Sequence, residues 1–330
     1  MRHISNKNGY LCCPFVVLLV FFMSEVQLTD TLFMVRPTHF GWNEQTATTN
    51  AFQHQQGNAA QNVVQNVVHE FNHFVKKLRN IGLNVITFDS LQHTPDAVFP
   101  NNWISFHTNG TLITYPMLAP NRRAELRNDV IDYFQQHYKI KRHLDLAENF
   151  VSQNLFLEGT GSLCLDRIHQ IAYCCLSPRT NEQLVLHWCE QMEYRPVLFR
   201  AIDKNGQAIY HTNVMLYIGE DFAVLAADTI ADPHERQTLI TFLEETGHEI
   251  VYINHDQMTH FGANVLQTQN KDEERVLIIS EQAYLALSQQ QLLLLNQYNE
   301  HILHTPLYNI EKYGGGSARC MMAEVFLPKK

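Results

Sequence analysis

The sequence predicts an α/β protein built from one repeated unit and closed on itself as a ring. Three observations predict it. A hairpin, a helix and a strand recur in that order along the chain. Equivalent points at the hairpin starts, Asn102, Glu158, His211, Asn264 and Cys320, lie 56, 53, 53 and 56 residues apart. The last hairpin has one strand of its own, CMMAEVFLP, and the first strand of the chain, TLFMVRP, is available to complete it. Self-similarity at a period of fifty-odd residues marks a repeat architecture, in which each unit buries its apolar face on its neighbours.

Each element follows from local pattern. TLFMVRP reads as a buried strand, and in QNVVQNVVHEFNHFVKKLRN the residues Val64, Val67, Val68, Phe71, Val75 and Leu78 recur at helical spacing. NVITFDS returns to a strand. In WISFHTNGTLITYPM, Asn109 and Gly110 separate two strand-like runs, and that pair is the strongest short hairpin signal because both residues accept positive φ. The order then repeats. The hairpin FLEGTGSLCLDRIHQIAYCCLSP leads to the helix TNEQLVLHWCEQM and the strand RPVLFRAI. HTNVMLYIGEDFAVLAADT leads to PHERQTLITFLEETG and EIVYINH, and FGANVLQTQNKDEERVLIISE leads to LSQQQLLLLNQY and a last extended run before GGGSARC.

At 330 residues and 45% hydrophobic, the chain can bury a full core. A formal charge of -9 with no block of Lys or Arg gives no electrostatic footprint for nucleic acid, and leaves a small molecule as the expected partner. Seven cysteines without a CxxC pair of zinc spacing point to a reducing compartment, the cytoplasm. Arg2, His3 and Lys7 ahead of Leu11 to Met23 have the profile of a secretory signal, yet no small-residue cleavage site follows and Met23 reads as a natural cytosolic start. Thirteen apolar residues are too few to cross a bilayer. Residues 1–30 are read as an extension or signal-like leader and residues 31–330 as a single domain. No membrane association is expected, and a homo-oligomer is left open.

A closed ring of similar units points equivalent positions at one axis. Glu158, His211 and Cys320, far apart in sequence, would then meet. Taken singly, each is an ordinary strand-end residue, and a free cysteine is commonly a small buried hydrophobe. Three complementary residue types on one phase of the repeat favour a shared site. A thiolate is a nucleophile, and a nearby histidine or a glycine-rich turn offering N–H groups activates it. Histidine can protonate a leaving nitrogen and then activate water. A carboxylate can hold substrate N–H groups in place. Together they suit addition to a trigonal carbon that carries nitrogens.

The segments PDAVFPNNW, FLEGTG, SPRTN, YHTNV and GGGSARCM, in that order, resemble the motifs of the amidinotransferase and guanidine-modifying hydrolase superfamily, the penteins, which includes arginine deiminase, dimethylarginine dimethylaminohydrolase and glycine amidinotransferase. The resemblance runs from about Thr31 to Leu327. It implies a five-bladed α/β propeller of ββαβ units with pseudo-fivefold symmetry, a central site and no cofactor. It also implies that Cys320 is a nucleophile forming a covalent thiouronium-like intermediate, that His211 is its acid and base, and that Glu158 binds the reacting nitrogens. Arg179, in SPRTN, matches an arginine that holds the substrate α-carboxylate, a task suited to a guanidinium fork. Asp96, in PDAVF, matches a substrate-contacting aspartate.

The departures from the pattern bear on substrate. Asn101 and Asn102 stand where dimethylargininase-like members show acidic residues, and Asn213 stands where deiminases place an aspartate. Carboxylates suit a cationic guanidinium, whereas amides supply both donors and acceptors and suit a neutral ureido group. The expected activity is hydrolysis of a C–N bond in a citrulline- or arginine-like amino acid with release of ammonia. The chain is also close to the citrulline-utilisation branch and to succinylarginine dihydrolase. An amidinotransferase and a non-catalytic amino-acid-binding member are the alternatives. Asn264, on the same phase as His211, either lines the site or supports its loop.

Other signals carry less. His69-Glu70-Phe71-Asn72-His73 satisfies HExxH, but its histidines fall about 140° and 180° around the helix from Val64, on the solvent side, so no metal is expected. Asn109-Gly110-Thr111 matches a glycosylation sequon already explained by the turn. Cys164, Cys174, Cys175 and Cys189 occupy apolar positions and read as core. Phe99 and Tyr115 either shape the pocket or pack. Cys12 and Cys13 belong to the leader.

Overall fold

The structure, a computed structural model, describes residues 26–55 and 60–330. The leader through residue 25, with Cys12 and Cys13, lies outside the described residues. Five units alternate strand pairs with helices, as the repeat requires. The second consists of β3 (Ile104–Phe106), β4 (Thr111–Thr114), a helix at Asn128–His137 and β5 (Arg142–Asp145). The third has β6 (Cys164–Asp166), β7 (Ile171–Cys175), a helix at Glu182–Met192 and β8 (Arg195–Phe199). The fourth has β9 (Leu216–Ile218), β10 (Phe222–Leu225), a helix at Pro233–Glu245 and β11 (Glu249–Tyr252). The fifth has β12 (Leu266–Gln269), β13 (Arg275–Ser280), a helix at Gln289–Gln297 and β14 (His301–Thr305). The first is assembled from both ends: β1 (Thr31–Arg36), the helix α1 (Ala60–Asn80) and β2 (Asn84–Asp89) from the start, β15 (Ala323–Glu324) from the finish.

Each unit forms its own small, open, three-stranded sheet with one topology. The first two strands are antiparallel, and the third lies parallel to the middle one after a helical crossover. The crossover is obligatory, because a parallel neighbour cannot be reached by a tight turn. Leu32 pairs with Glu324 and Phe33 with Ala323, so the chain ends share a sheet. The middle strands are buried throughout, apart from Arg36 and Arg275 at two ends, while every third strand is partly exposed. That gradient matches strands buried on both faces by helices and neighbouring sheets.

Local corrections have physical causes. The apolar stripe of α1 is Val63, Val67, Phe71, Phe74, Val75 and Leu78, with Val64 and Val68 only half-buried; the face is turned slightly from the one the valine pairs suggest. The segment CMMAEVFLP is not one long strand. Cys320 donates its N–H to Ser317 O (3.0 Å) inside a helical turn, which removes it from the ladder, and only Ala323–Glu324 pair. The helix at Asn128–His137 and β5 complete the unit of which the sequence reading assigned only the hairpin around Asn109-Gly110. Among the described residues, no helix is long and apolar enough to cross a membrane.

Phe33 links the shared sheet to the next unit. Its ring meets Phe88, Trp103, Phe106 and Phe134 edge-on, with centroids 5.9, 6.0, 6.4 and 5.6 Å away. It has no exposed surface. Phe33→Ala should therefore destabilise the protein by about 3–5 kcal/mol, read as a lower denaturant midpoint at unchanged slope.

Candidate active site

The five residues at steps of 53 to 56 sit at or beside the short turns that open each unit. Asn102 ends the turn Pro100–Asn102 before β3, Glu158 caps Gly159–Ser162 before β6, and His211 caps Thr212–Val214 before β9. Asn264 precedes β12, and Cys320 lies in Ala318–Met321 before β15. The turns touch in order: Ala318–Met321 against Pro100–Asn102, that against Gly159–Ser162, and that against Thr212–Val214. Asn264 closes the set, with Nδ2 donating to Asn213 O (2.9 Å) and Oδ1 accepting the Cys320 N–H (3.4 Å).

Glycine makes these approaches sterically open. At Gly161 a Cβ would lie 2.5 Å from Asn102 Nδ2 and 2.9 Å from His211 Nδ1, so any side chain would push both away. Gly314 and Gly316 face the Phe99 ring at the same short range, and Gly315 ends its helix at φ +65 against Asn50. The triglycine is thus a packing requirement as much as a turn.

Cys320 is buried, with its sulfur 3.2 Å from Asn264 Nδ2 and 3.5 Å from Asn213 Nδ2. The N–H groups facing the sulfur come from these asparagine side chains and not from the glycine-rich backbone, because the Cys320 N–H is spent within its own turn. Glu158 Oε1 accepts the Leu118 N–H (3.1 Å). Its Oε2 lies 2.8 Å from His211 Nε2, 3.5 Å from Arg179 Nη1 and 3.9 Å from Arg122 Nη1. Burial alone would raise the Glu158 pKa, but Arg179, the His211 hydrogen bond and Arg122 outweigh it and hold the carboxyl at about 2. Burial pushes His211 down to about 4 against the pull of Glu158. An ionised carboxylate only accepts, so neutral His211 carries its proton on Nε2 and keeps its lone pair on Nδ1.

Asn101, Asn102, Asp96 and Arg179 divide into engaged and free groups. Arg122 was not signalled by the sequence; it is buried against Glu125 (2.9 and 2.8 Å). Its Nη1 donates to Asn102 Oδ1 (2.9 Å), which obliges Asn102 Nδ2 to donate to Asn101 Oδ1 (3.0 Å). Asn101 Nδ2 is then left as a buried donor without a protein partner among the described residues, as is the acceptor Asp96 Oδ1. The other Asp96 oxygen takes Asn43 Nδ2 (2.8 Å) and Thr46 Oγ1 (2.9 Å). Arg179 gives Nε and Nη2 to Thr49 Oγ1 and Nη2 also to Thr46 O, so its fork faces the segment 43–54 and not open space. Asn43, Thr46 and Thr49 had no signal in the sequence, since polar loop residues abound. Phe99 and Tyr115 are both buried; Tyr115 bonds Ser105 and Trp188 within the core.

The sequence model of the family described as N,N dimethylarginine dimethylhydrolase, eukaryotic, matches residues 36–327. The chain belongs to that family. It is thereby a pentein. Among solved structures, it is similar to apo ArgZ, an arginine dihydrolase from the ornithine-ammonia cycle in cyanobacteria, with 14% identity, a TM-score of 0.70 and coverage of 89% of this chain. The chain spans 40% of the length of that ArgZ structure. The N-terminal domain of ArgZ bound to substrate matches at 15% identity and TM-score 0.70, over 90% of this chain and 99% of the domain. A dimethylarginine dimethylaminohydrolase adduct with S-methyl-L-thiocitrulline matches at 12% identity and TM-score 0.60, over 90% of this chain and 99% of that one. At such identities the likeness is one of fold. No match was found among curated proteins.

In this pentein, no group of three or more His, Cys, Asp or Glu side chains among the described residues could hold a metal ion. The pH behaviour of the site follows from its two shifted groups. The folded Glu158 value lies below its ordinary 4.5, so its contribution to stability is present above that pH and is lost as pH falls through about 2. The folded His211 value lies below 6.5, so protonation favours the unfolded chain and stability drops as pH falls from 6.5 toward about 4. NMR of labelled histidine should show His211 neutral at pH 6. Glu158→Gln should move its titration lower still, because the carboxylate favours the imidazolium.

Proposed function

We propose that this pentein is a cysteine-dependent hydrolase that cleaves a C–N bond in a small amino acid bearing a ureido or guanidino group. Residues 31–330 form its single catalytic domain, with the five sheets standing as propeller blades around the site; the ordered contacts of four turns and the Asn264 hydrogen bonds support that arrangement. The observation that carries the reading is a buried Cys320 sulfur facing two asparagine amides, one of them two residues from His211, whose Nε2 lies 2.8 Å from the buried Glu158 carboxyl.

In the proposed reaction His211 takes the Cys320 thiol proton, and the thiolate adds to the trigonal carbon. The imidazolium returns the proton to the departing nitrogen, which leaves as ammonia. Water then adds to the sulfur-bound carbon, giving one proton to His211, which passes it to the departing sulfur; from a ureido substrate the product is a carbamic acid, which loses carbon dioxide to leave the free amine. The depressed basicity of His211 makes its conjugate acid a strong donor to a nitrogen leaving group. Glu158 serves His211 directly, since its oxygens are taken by Leu118, His211 and the two arginines.

The free groups favour a ureido substrate. A ureido group presents N–H donors and a carbonyl acceptor, which match Asp96 Oδ1 and Asn101 Nδ2, both buried and unpartnered among the described residues. A guanidinium presents donors only and would leave Asn101 Nδ2 unmet. Asn102 and Asn213 are engaged with Arg122 and Cys320, so selection rests on Asn101 more than on those two. An arginine-type substrate is the second reading, supported by the family and by the name of ArgZ.

The test is product release from citrulline, arginine, N-succinylarginine and N,N-dimethylarginine in parallel. Ornithine and ammonia from citrulline, with turnover abolished in Cys320→Ser, are expected. Asn101→Asp should lower kcat/KM for citrulline about 10–100-fold by replacing a donor with an acceptor. Conversion of arginine to citrulline without further reaction would overturn the ureido preference. Binding without turnover of any of the four would overturn the hydrolase reading, and a requirement for an amine acceptor would make the protein a transferase.

A further inference from the structure

The His-Glu-Phe-Asn-His run on α1 turns both histidines to solvent and its glutamate inward. Glu70 is 9% exposed. Its Oε1 accepts the Asn309 main-chain N–H (3.0 Å) and Asn309 Nδ2 (2.6 Å), and its Oε2 accepts the N–H groups of Asn309 (3.2 Å) and Ile310 (3.1 Å). Those main-chain N–H groups open the helix α2 (Tyr308–Gly314), where a helix has no internal acceptors. Leu307, at the capping position, offers no side-chain bond. A glutamate from a distant part of the chain therefore caps this helix, and its charge faces the favourable end of the helix dipole.

The other end of α2 runs into the triglycine and Cys320. Glu311, inside the helix, accepts from Ser317 Oγ (2.6 Å), and Ser317 O accepts the Cys320 N–H (3.0 Å). Ile310, Glu311, Ser317 and Cys320 are all buried, so a displacement at one end is passed along through packed side chains. Gly315 O is held by Tyr210 Oη (2.6 Å) and Asn50 Nδ2 (3.2 Å). A helix of seven residues is too short to hold itself. Its direction is set by what grips its two ends: Glu70 at the start, and the Tyr210 and Asn50 contacts at the finish.

We propose that Glu70 is a positioning residue for Cys320, acting through α2, Glu311 and Ser317 to set the placement of the sulfur. This rests on the reading of Cys320 as the nucleophile. A structural cap alone would alter stability; a positioning residue also alters how the sulfur reacts.

The experiment compares Glu70→Ala and Glu70→Gln with His69→Ala and His73→Ala, which change the same helix on its exposed face. It measures kcat, KM, thermal stability and the rate of Cys320 alkylation by iodoacetamide in the resting protein, with the modified site identified by mass. Burial pushes the thiols of Cys164, Cys175 and Cys189 up to about 12, so these compete poorly for the reagent. Glu70→Ala should lower both kcat and the alkylation rate about tenfold with KM nearly unchanged, through loss of the bonds that orient the helix. Glu70→Gln keeps one accepting oxygen and should lose only about threefold, and the histidine variants should match the wild type. If Glu70→Ala does not fold, Glu70→Gln carries the test. A fall in thermal stability with kcat and alkylation unchanged would overturn the proposal, as would a change confined to KM. Alkylation does not depend on the substrate, so absence of turnover in the wild type would count against the proposed reaction and leave this test standing.

Discussion

A single buried carboxylate organises the centre of this protein. An ionised carboxylate away from water costs several kcal/mol unless donors surround it. Glu158 meets that demand with the Leu118 N–H, His211, Arg179 and Arg122, which come from three different units of the chain. Satisfying one anion therefore ties together segments from three units. It also determines chemistry at a distance. The carboxylate selects the His211 tautomer, while Arg122 fixes the amide orientation of Asn102 and, through it, that of Asn101.

The second constraint is space. Charges can be shared among several turns only if the turns come within hydrogen-bond range, and at these positions a Cβ would prevent it. Gly159 adopts φ +45 with its missing Cβ 2.2 Å from the Asn101 carbonyl, and Gly161 leaves room for Asn102 and His211. The same logic explains the triglycine ahead of Cys320: two of its members lie against Phe99, and the third turns left-handed where the short helix ends. Electrostatics and steric permission act on the same few residues, and the LEGTGS segment supplies both.

Much of the unit structure was legible in the sequence. Helical spacing, the Asn-Gly turn and the 53- to 56-residue steps indicated the elements and their order, and TLFMVRP does pair with the end of the chain. The unread helix at Asn128–His137 with its following strand, and the reach of CMMAEVFLP as a strand, show the limit, since short elements with weak patterns are decided by their neighbours. At the site, the common phase of Glu158, His211 and Cys320 could be read because it is a one-dimensional regularity. Arg122, Asn43 and Thr46 could not, because nothing in a polar loop marks which side chains will be buried.

By itself, then, the sequence determined the α/β repeat, the spacing that places five residues on equivalent turns, and the thiol, imidazole and carboxylate among them. Those are properties of periodicity and residue type, which survive projection onto a line. The tertiary structure alone decided which polar atoms are spent and which are free. Asn102 is consumed by Arg122, Arg179 by the segment 43–54, and Glu158 by His211, while Asp96 Oδ1 and Asn101 Nδ2 remain unpartnered among the described residues. Hydrogen-bond satisfaction depends on distances between residues far apart in sequence, and those distances exist only once the chain has folded.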